Sequence, residues 1–160
     1  MPVIPYDREK AVVYAREWAF DRNPRFYDFS EIGGDCTNFV SQCLYAGSGV
    51  MNFAPVYGWY YLSSSNRTAS WTGVEYLYNF LTSNEEEGPF GREVGEGEAE
   101  TGDVVQLGDE EGDFYHTMLI TAVFPEILVA AHSYDAFDRP LSSYDYYTAR
   151  FIHIDAVRIE

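Results

Sequence analysis

The sequence predicts an α+β domain, with helices in its first half and an antiparallel sheet in its second. Three observations carry this reading. Up to residue 81 the apolar side chains recur at helical spacing, as in Ala11, Ala15, Trp18 and Ala19. After Gly102-Asp103 the pattern changes to short apolar or alternating runs, which read as strands. Two of these runs are joined by a tight Phe124-Pro125-Glu126 turn, which makes them antiparallel neighbours.

The elements follow in order. Residues 7–22 read as a first helix, with Asp7 as N-cap and Asn23-Pro24 as its stop. Gly33-Gly34 precede a second helix over 36–46, whose buried stripe is Cys36, Val40, Cys43 and Leu44 and which ends at Gly47-Ser48-Gly49. Asp35 before it is an N-cap or turn residue. Residues 52–70 are rich in Tyr, Ser, Gly and Asn and read as a long irregular connection. Trp59, Trp71 and the tyrosines of this stretch either line a substrate cleft or close an ordinary core. Residues 71–81 form a third helix, and 88–102 a flexible acidic stretch. Strands are expected at 104–107, 115–123, 127–132 and 150–159. There is no internal repeat, and 1–160 reads as a single domain.

Charge narrows the partners. With 26 acidic residues against 10 Lys and Arg, the net charge of −16 makes nucleic acid and anionic membrane poor partners. No run approaches the ~20 apolar residues of a membrane span. The start, Met1-Pro2-Val3-Ile4-Pro5, carries no signal peptide and leaves the compartment open. Oligomeric state is not readable.

The chemistry centres on Cys36. A cysteine where two glycines end and a helix begins lies in the positive field of the first turn, which favours thiolate over thiol. Cys43 lies seven residues on, about 10.5 Å along a helix axis, too far for a bridge that needs Cα atoms within about 7 Å. Both thiols are expected to be free, with Cys43 structural. Nucleophilic catalysis by cysteine also needs a histidine base and a polar group to hold the imidazole. The chain offers His116, His132 and His153. His116 starts one predicted strand and His132 ends its neighbour. Counted outward from Pro125, they fall near the same end of the ladder, within about two residues of register. His153 has no partner in view and reads as structural. A zinc site from His116, His132, Asp135 and Cys36 is the competing use of these residues, but no short pair of zinc ligands is present. No metal or other cofactor is expected.

The block Asp35-Cys36-Thr37-Asn38-Phe39-Val40-Ser41-Gln42, then Gly102-Asp103-Val104-Val105, His116 on a strand, and His132-Ser133-Tyr134-Asp135 with Pro140-Leu141 after it, resembles the Putative amidase domain family. That family is a bacterial branch of the papain-like cysteine amidases and peptidases, related to the NlpC/P60 and CHAP hydrolases. The likeness runs from Tyr6 to about Leu141. It implies a papain-like fold of helices packed on an antiparallel sheet, Cys36 as nucleophile, His116 as general base and His132 as the group that orients it, with Asp135 the fallback. The Cys36 N–H would meet the oxyanion. A side-chain donor is harder to place: Ser30 stands where papain has a glutamine, and Tyr27 matches the upstream tyrosine of NlpC/P60 relatives.

The expected function is therefore hydrolysis of a peptide or amide bond through a Cys36 thioester, on bacterial cell-wall peptides by resemblance, in the cell envelope or outside the cell. Two alternatives share these residues. One is a non-catalytic peptide- or glycan-binding module on the same shell. The other is a cysteine acyltransferase.

Overall fold

The computed structural model describes all 160 residues. In chain order it contains β1 (Val3–Ile4), α1 (Arg8–Trp18), α2 (Cys36–Ser48), β2 (Tyr61–Ser63), β3 (Asn66–Arg67), α3 (Ala69–Thr72), α4 (Val74–Ser83), β4 (Gly88–Val94), β5 (Val104–Gly108), β6 (Phe114–Ala122), β7 (Leu128–Ala131), β8 (Ala136–Pro140) and β9 (Thr148–Arg158). This is the α+β arrangement that the residue pattern predicts. No helix is long and apolar enough to cross a membrane.

Seven strands form one antiparallel sheet. Its spine is β9-β5-β6-β7-β8, with β4 and β1 also paired to β9. The sheet separates two apolar layers. Val104, Leu119, Ala130, Ile152 and Ile154 face the helices, together with Phe39, Val40, Cys43 and Leu44 of α2. Val105, Leu107, Met118, Ile120, Val129 and Ala131 face the other way. Period-two alternation puts successive core residues such as Val104 and Val105, or Leu119 and Ile120, in opposite layers.

Local chemistry accounts for the boundaries. Asp7 caps α1 by accepting from the Lys10 N–H at 3.0 Å. The helix ends at Trp18, four residues before the predicted stop. A further turn would give the Trp18 carbonyl to the Arg22 N–H. That carbonyl instead accepts from the Asp21 N–H and faces His132 Nε2 at 2.8 Å. The Cys36 helix starts where predicted and runs two residues further, to a left-handed Gly49 whose N–H bonds the Tyr45 carbonyl. The expected helix over 71–81 is two helices. Gly73 breaks it in an extended conformation, and a Cβ there would stand 2.7 Å from the Tyr76 ring.

The expected flexible acidic stretch is in part a strand. β4 pairs with most of β9, and its Gly91 comes so close that a Cβ would sit 1.9 Å from the His153 carbonyl oxygen. Strands β1 and β8 are further additions to the predicted set, as is the short β2–β3 pair inside the stretch expected to be irregular. Trp59 and Trp71 are fully buried and close-packed, 4.7 Å between ring centroids. Their indole N–H groups donate to Ser41 Oγ and Asn38 Oδ1. They belong to the core and not to a cleft. His153, expected without a partner, is bonded through Nδ1 to the buried Asp103 at 2.9 Å. Asp103 also accepts from Arg8 at 2.7 Å, so this histidine is a structural member of an ion network.

Candidate active site

Cys36 is the first residue of α2, and Cys36 and Cys43 are both free thiols. Gly33 and Gly34 before it adopt φ of +83° and +98°, a left-handed backbone that folds the loop back against the helix tip. Asp35 occupies the N-cap position but makes no capping bond. Its buried carboxylate accepts from the Phe29 N–H at 2.8 Å, from Asn38 Nδ2 at 2.9 Å and from His132 Nδ1 at 2.5 Å. It ties the incoming loop, the first helical turn and the end of β7 together.

Polar groups lie at the sulfur of Cys36. The Thr37 hydroxyl lies 3.7 Å away, and the backbone of Thr37 and Thr117 also works to hold its pKa down. Behind Thr37 runs a buried chain with one direction. Arg150 Nε donates to Gln106 Oε1 at 2.8 Å, which leaves the Gln106 amide nitrogen to donate to Thr117 Oγ1 at 3.2 Å. Thr117 Oγ1 meets Thr37 Oγ1 at 2.9 Å. With Thr117 accepting from Gln106, its own hydrogen is free for Thr37, whose hydrogen is then free for sulfur. These supporting residues were not part of the sequence reading. One signal was available, since Gln106 is a polar residue in the middle of the apolar run Val104-Val105-Gln106-Leu107.

The resting sulfur is nonetheless a thiol. Burial pushes the Cys36 pKa up, more than these groups pull it down, and the Asp35 carboxylate adds to the rise. The helix-tip field alone does not produce the thiolate expected from the sequence.

His116 lies on β6, one residue before Thr117, opposite Leu107 of β5. Burial, then the nearby Arg139 cation, lowers its pKa from 6.5 to about 4. It is therefore a neutral imidazole at pH 7, able to accept a proton. It lines a cleft of about 490 Å³ with Leu107, Tyr115, Ser133, Arg139 and Tyr144 among its walls. Cys36 does not line it: His116, opposite Leu107 and beside Tyr144, points to the sheet face away from the helices, whereas Cys36 is on the helix side. Thr117 connects the sulfur to the histidine strand, and Ser133 Oγ stands 4.0 Å from where a Cβ on Gly34 would be. No hydrogen bond joins the sulfur to the imidazole.

His132 is not placed to orient His116. The pairing of Leu119 with Ala130, carried on by two residues, puts His132 opposite Thr117 and Ser133 opposite His116. His132 thus faces the helices, where its ring stacks on Phe39 with centroids 4.0 Å apart. Its two nitrogens are engaged by Asp35 and the Trp18 carbonyl. The count from Pro125 was correct to within one residue, and one residue reverses the face. Asp135 does not reach His116 either. Both its oxygens accept from Arg22, at 3.0 and 3.1 Å, and Arg22 also lies 3.4 Å from Asp28. Ser30 is bonded to Asp28. Tyr27 is held through its backbone, by the Tyr61 hydroxyl and Asn38 Nδ2, with its ring edge-on to Phe29. The residues weighed as zinc ligands are not gathered, and no three His, Cys, Asp or Glu side chains are placed to share a metal ion.

Comparison with known proteins agrees with the sequence blocks. The chain is 36% identical over 138 residues to Uncharacterized protein YhbB of Bacillus subtilis (strain 168), covering 82% of this chain and 42% of that relative's length. No solved structure matches. A family model described as Putative amidase domain matches residues 5–154, nearly the whole chain including the Cys36 helix and the His116 strand. The chain belongs to the Putative amidase domain family.

Proposed function

We propose that this protein is a cysteine amidase or peptidase on a papain-like fold, akin to NlpC/P60 and CHAP hydrolases, in which Cys36 is the nucleophile and His116 the general base. Family membership suggests amide hydrolysis. The observation that carries the cysteine mechanism is the Thr37 hydroxyl at the Cys36 sulfur, hydrogen-bonded in turn to Thr117, the residue after the cleft histidine His116.

The reaction runs from a thiol and a neutral imidazole. His116 takes the thiol proton as sulfur bonds to the carbonyl carbon, and the carbonyl electrons move onto oxygen. The Cys36 backbone N–H, in the first turn where the helix supplies no acceptor, bonds that oxygen. His116 then gives its proton to the leaving nitrogen as the C–N bond breaks, leaving a thioester. Water attacks the thioester, His116 accepts its proton, and the C–S bond breaks to release the acid. The proton returns to sulfur. The Thr37 hydroxyl and the Thr117 backbone stabilise the negative sulfur at each departure. In this reading the sulfur and the imidazole come into contact only when substrate is bound.

In this reading Asp35 and His132 are positioning residues. They hold the helix tip and do not touch the imidazole. The substrate class we favour is a peptide, with bacterial cell-wall stem peptides the first to try. An amine acceptor in place of water would give an acyltransferase with the same thioester.

The test is incubation with a panel of cell-wall fragments and simple peptide amides, with acid quench and mass spectrometry of the protein. Hydrolysis with an acyl adduct on Cys36, both absent in Cys36→Ala, is the expected outcome. Turnover that survives Cys36→Ala would remove the mechanism. Tight peptide or glycan binding without turnover would instead make the domain a binding module.

A further inference from the structure

Resting on the amidase reading, we propose that Arg139 makes the His116 cleft a receptor for a substrate carboxylate, so that the scissile amide belongs to a peptide carrying a carboxylate close to that bond.

The argument starts from charge. The chain has 26 acidic residues and 10 Lys and Arg, so its surface repels anions in general. Arg8, Arg22, Arg92 and Arg150 are each paired with an acidic side chain. Arg16, Arg25, Arg67, Arg139 and Arg158 make no such pair, and of these five only Arg139 lines the cleft that holds His116. Asp145 on the same rim is exposed and does not pair with it. A cation left without a carboxylate in so acidic a chain, inside the cleft with the proposed base, is a local reversal of sign.

The guanidinium is also fixed in place. It stacks 3.8 Å over the Tyr144 ring. Its Nε donates to Ser143 Oγ at 2.8 Å and its Nη2 to the Ser143 carbonyl at 3.2 Å. Ser143 Oγ is itself held by donating to the Pro140 carbonyl at 2.7 Å. These bonds leave Nη1 without a partner in the chain. An arginine held this way loses little side-chain freedom when a carboxylate arrives, and its planar donors suit carboxylate geometry. Arg139 is close enough to His116 to help lower its pKa, so a carboxylate bound to it sits near the reacting amide.

The experiment uses short peptides in matched forms: a free C-terminal carboxylate against the carboxamide, and Glu against Gln beside the scissile bond. The two pairs distinguish a terminal from a side-chain carboxylate. Both kcat/KM with the active protein and Kd with Cys36→Ala are measured. In one of the two pairs the carboxylate form should be preferred about tenfold or more, the usual scale of a charge-assisted hydrogen bond. Arg139→Gln should bring that ratio to within about threefold of one, and Arg139→Lys should leave an intermediate value. Lys10→Gln, which removes the same charge from an exposed helical position, should leave the ratio unchanged. Equal treatment of both forms in both pairs, or a ratio that survives Arg139→Gln, overturns the proposal. If Arg139→Gln does not fold, an Arg139→Lys ratio equal to that of the unaltered protein overturns it too. Absence of any turnover removes the amidase reading and leaves the Kd comparison to decide this one.

Discussion

Cys36 and Cys43 lie on one helix, about 10.5 Å apart along its axis, and their surroundings could hardly differ more. Cys43 is fully buried in the core, and burial drives its pKa far up, opposed only by its own backbone N–H. Cys36 is also raised by burial, but Thr37 and Thr117 oppose the rise, and the residue is part-exposed. What separates them is the neighbouring sheet. A helix interior has spent its N–H groups on its own carbonyls, whereas a helix tip and the adjoining strand still have donors to offer. The comparison teaches that a reactive cysteine is made by donors from two elements, with the helix end as only one of them.

The largest expected contrast is in activity. Cys36→Ala should lower kcat/KM by on the order of 10³-fold or more, read by substrate hydrolysis. Cys43→Ala should leave turnover within about threefold and instead cost roughly 1–2 kcal/mol of stability in a denaturant titration, as a small core truncation does. Equal losses in the two variants would erase the distinction.

The second prediction concerns what holds the tip. His132→Ala leaves the buried Asp35 carboxylate without its imidazole partner and should destabilise the fold by about 3–5 kcal/mol. Hydrogen exchange should rise in the first turn of α2 more than around Cys43. Unchanged exchange at residues 35–38 would show that the pair does not anchor the nucleophile.

The third is a pH profile. His116 accepts a proton only when neutral, and its pKa is near 4. The acid limb of kcat/KM should therefore lie near pH 4, well below the 6.5 of a free imidazole, and the alkaline limb above the ordinary thiol range. The folded pKa is lower than the unfolded value, so the unfolded chain binds this proton more readily. The contribution of this group to stability is complete above pH 6.5 and is lost as pH falls from 6.5 towards 4. A single acid limb at 6.5 would mean that a different group, or an ion pair preformed with the thiolate, controls the rate.

The smallest effect probes the buried relay. Thr117→Val cuts the hydroxyl chain from Gln106 to Thr37 and should slow iodoacetamide labelling of Cys36 several-fold near neutral pH by raising its pKa further. Thr117→Ser should restore the rate, and Cys43 should respond to neither.

Much of this was legible in residue order. The switch from helical to strand spacing after Gly102 gave the α+β class, and the Gly33-Gly34-Asp35-Cys36 junction marked the start of α2. The His116 strand and the hairpin after it also followed from pattern and turn chemistry. The misses have specific causes. Glycine and charge in residues 88–94 look like loop, but pairing with β9 supplies hydrogen bonds that override a weak local preference. The first helix stops early where His132, just past β7, reaches its last carbonyl, a partner 114 residues away. The His132 error was one residue of register, which spacing from a turn does not resolve and which exchanges one sheet face for the other.

The sequence by itself determined that a cysteine would stand at a helix tip with a histidine on a neighbouring strand, because glycine conformation and apolar periodicity are local properties of the chain. Tertiary structure alone decided the protonation balance of those two groups and the partners of His132, Asp135 and Arg139. Burial, strand register and the approach of charges distant in sequence set these, and each is a property of the packed molecule.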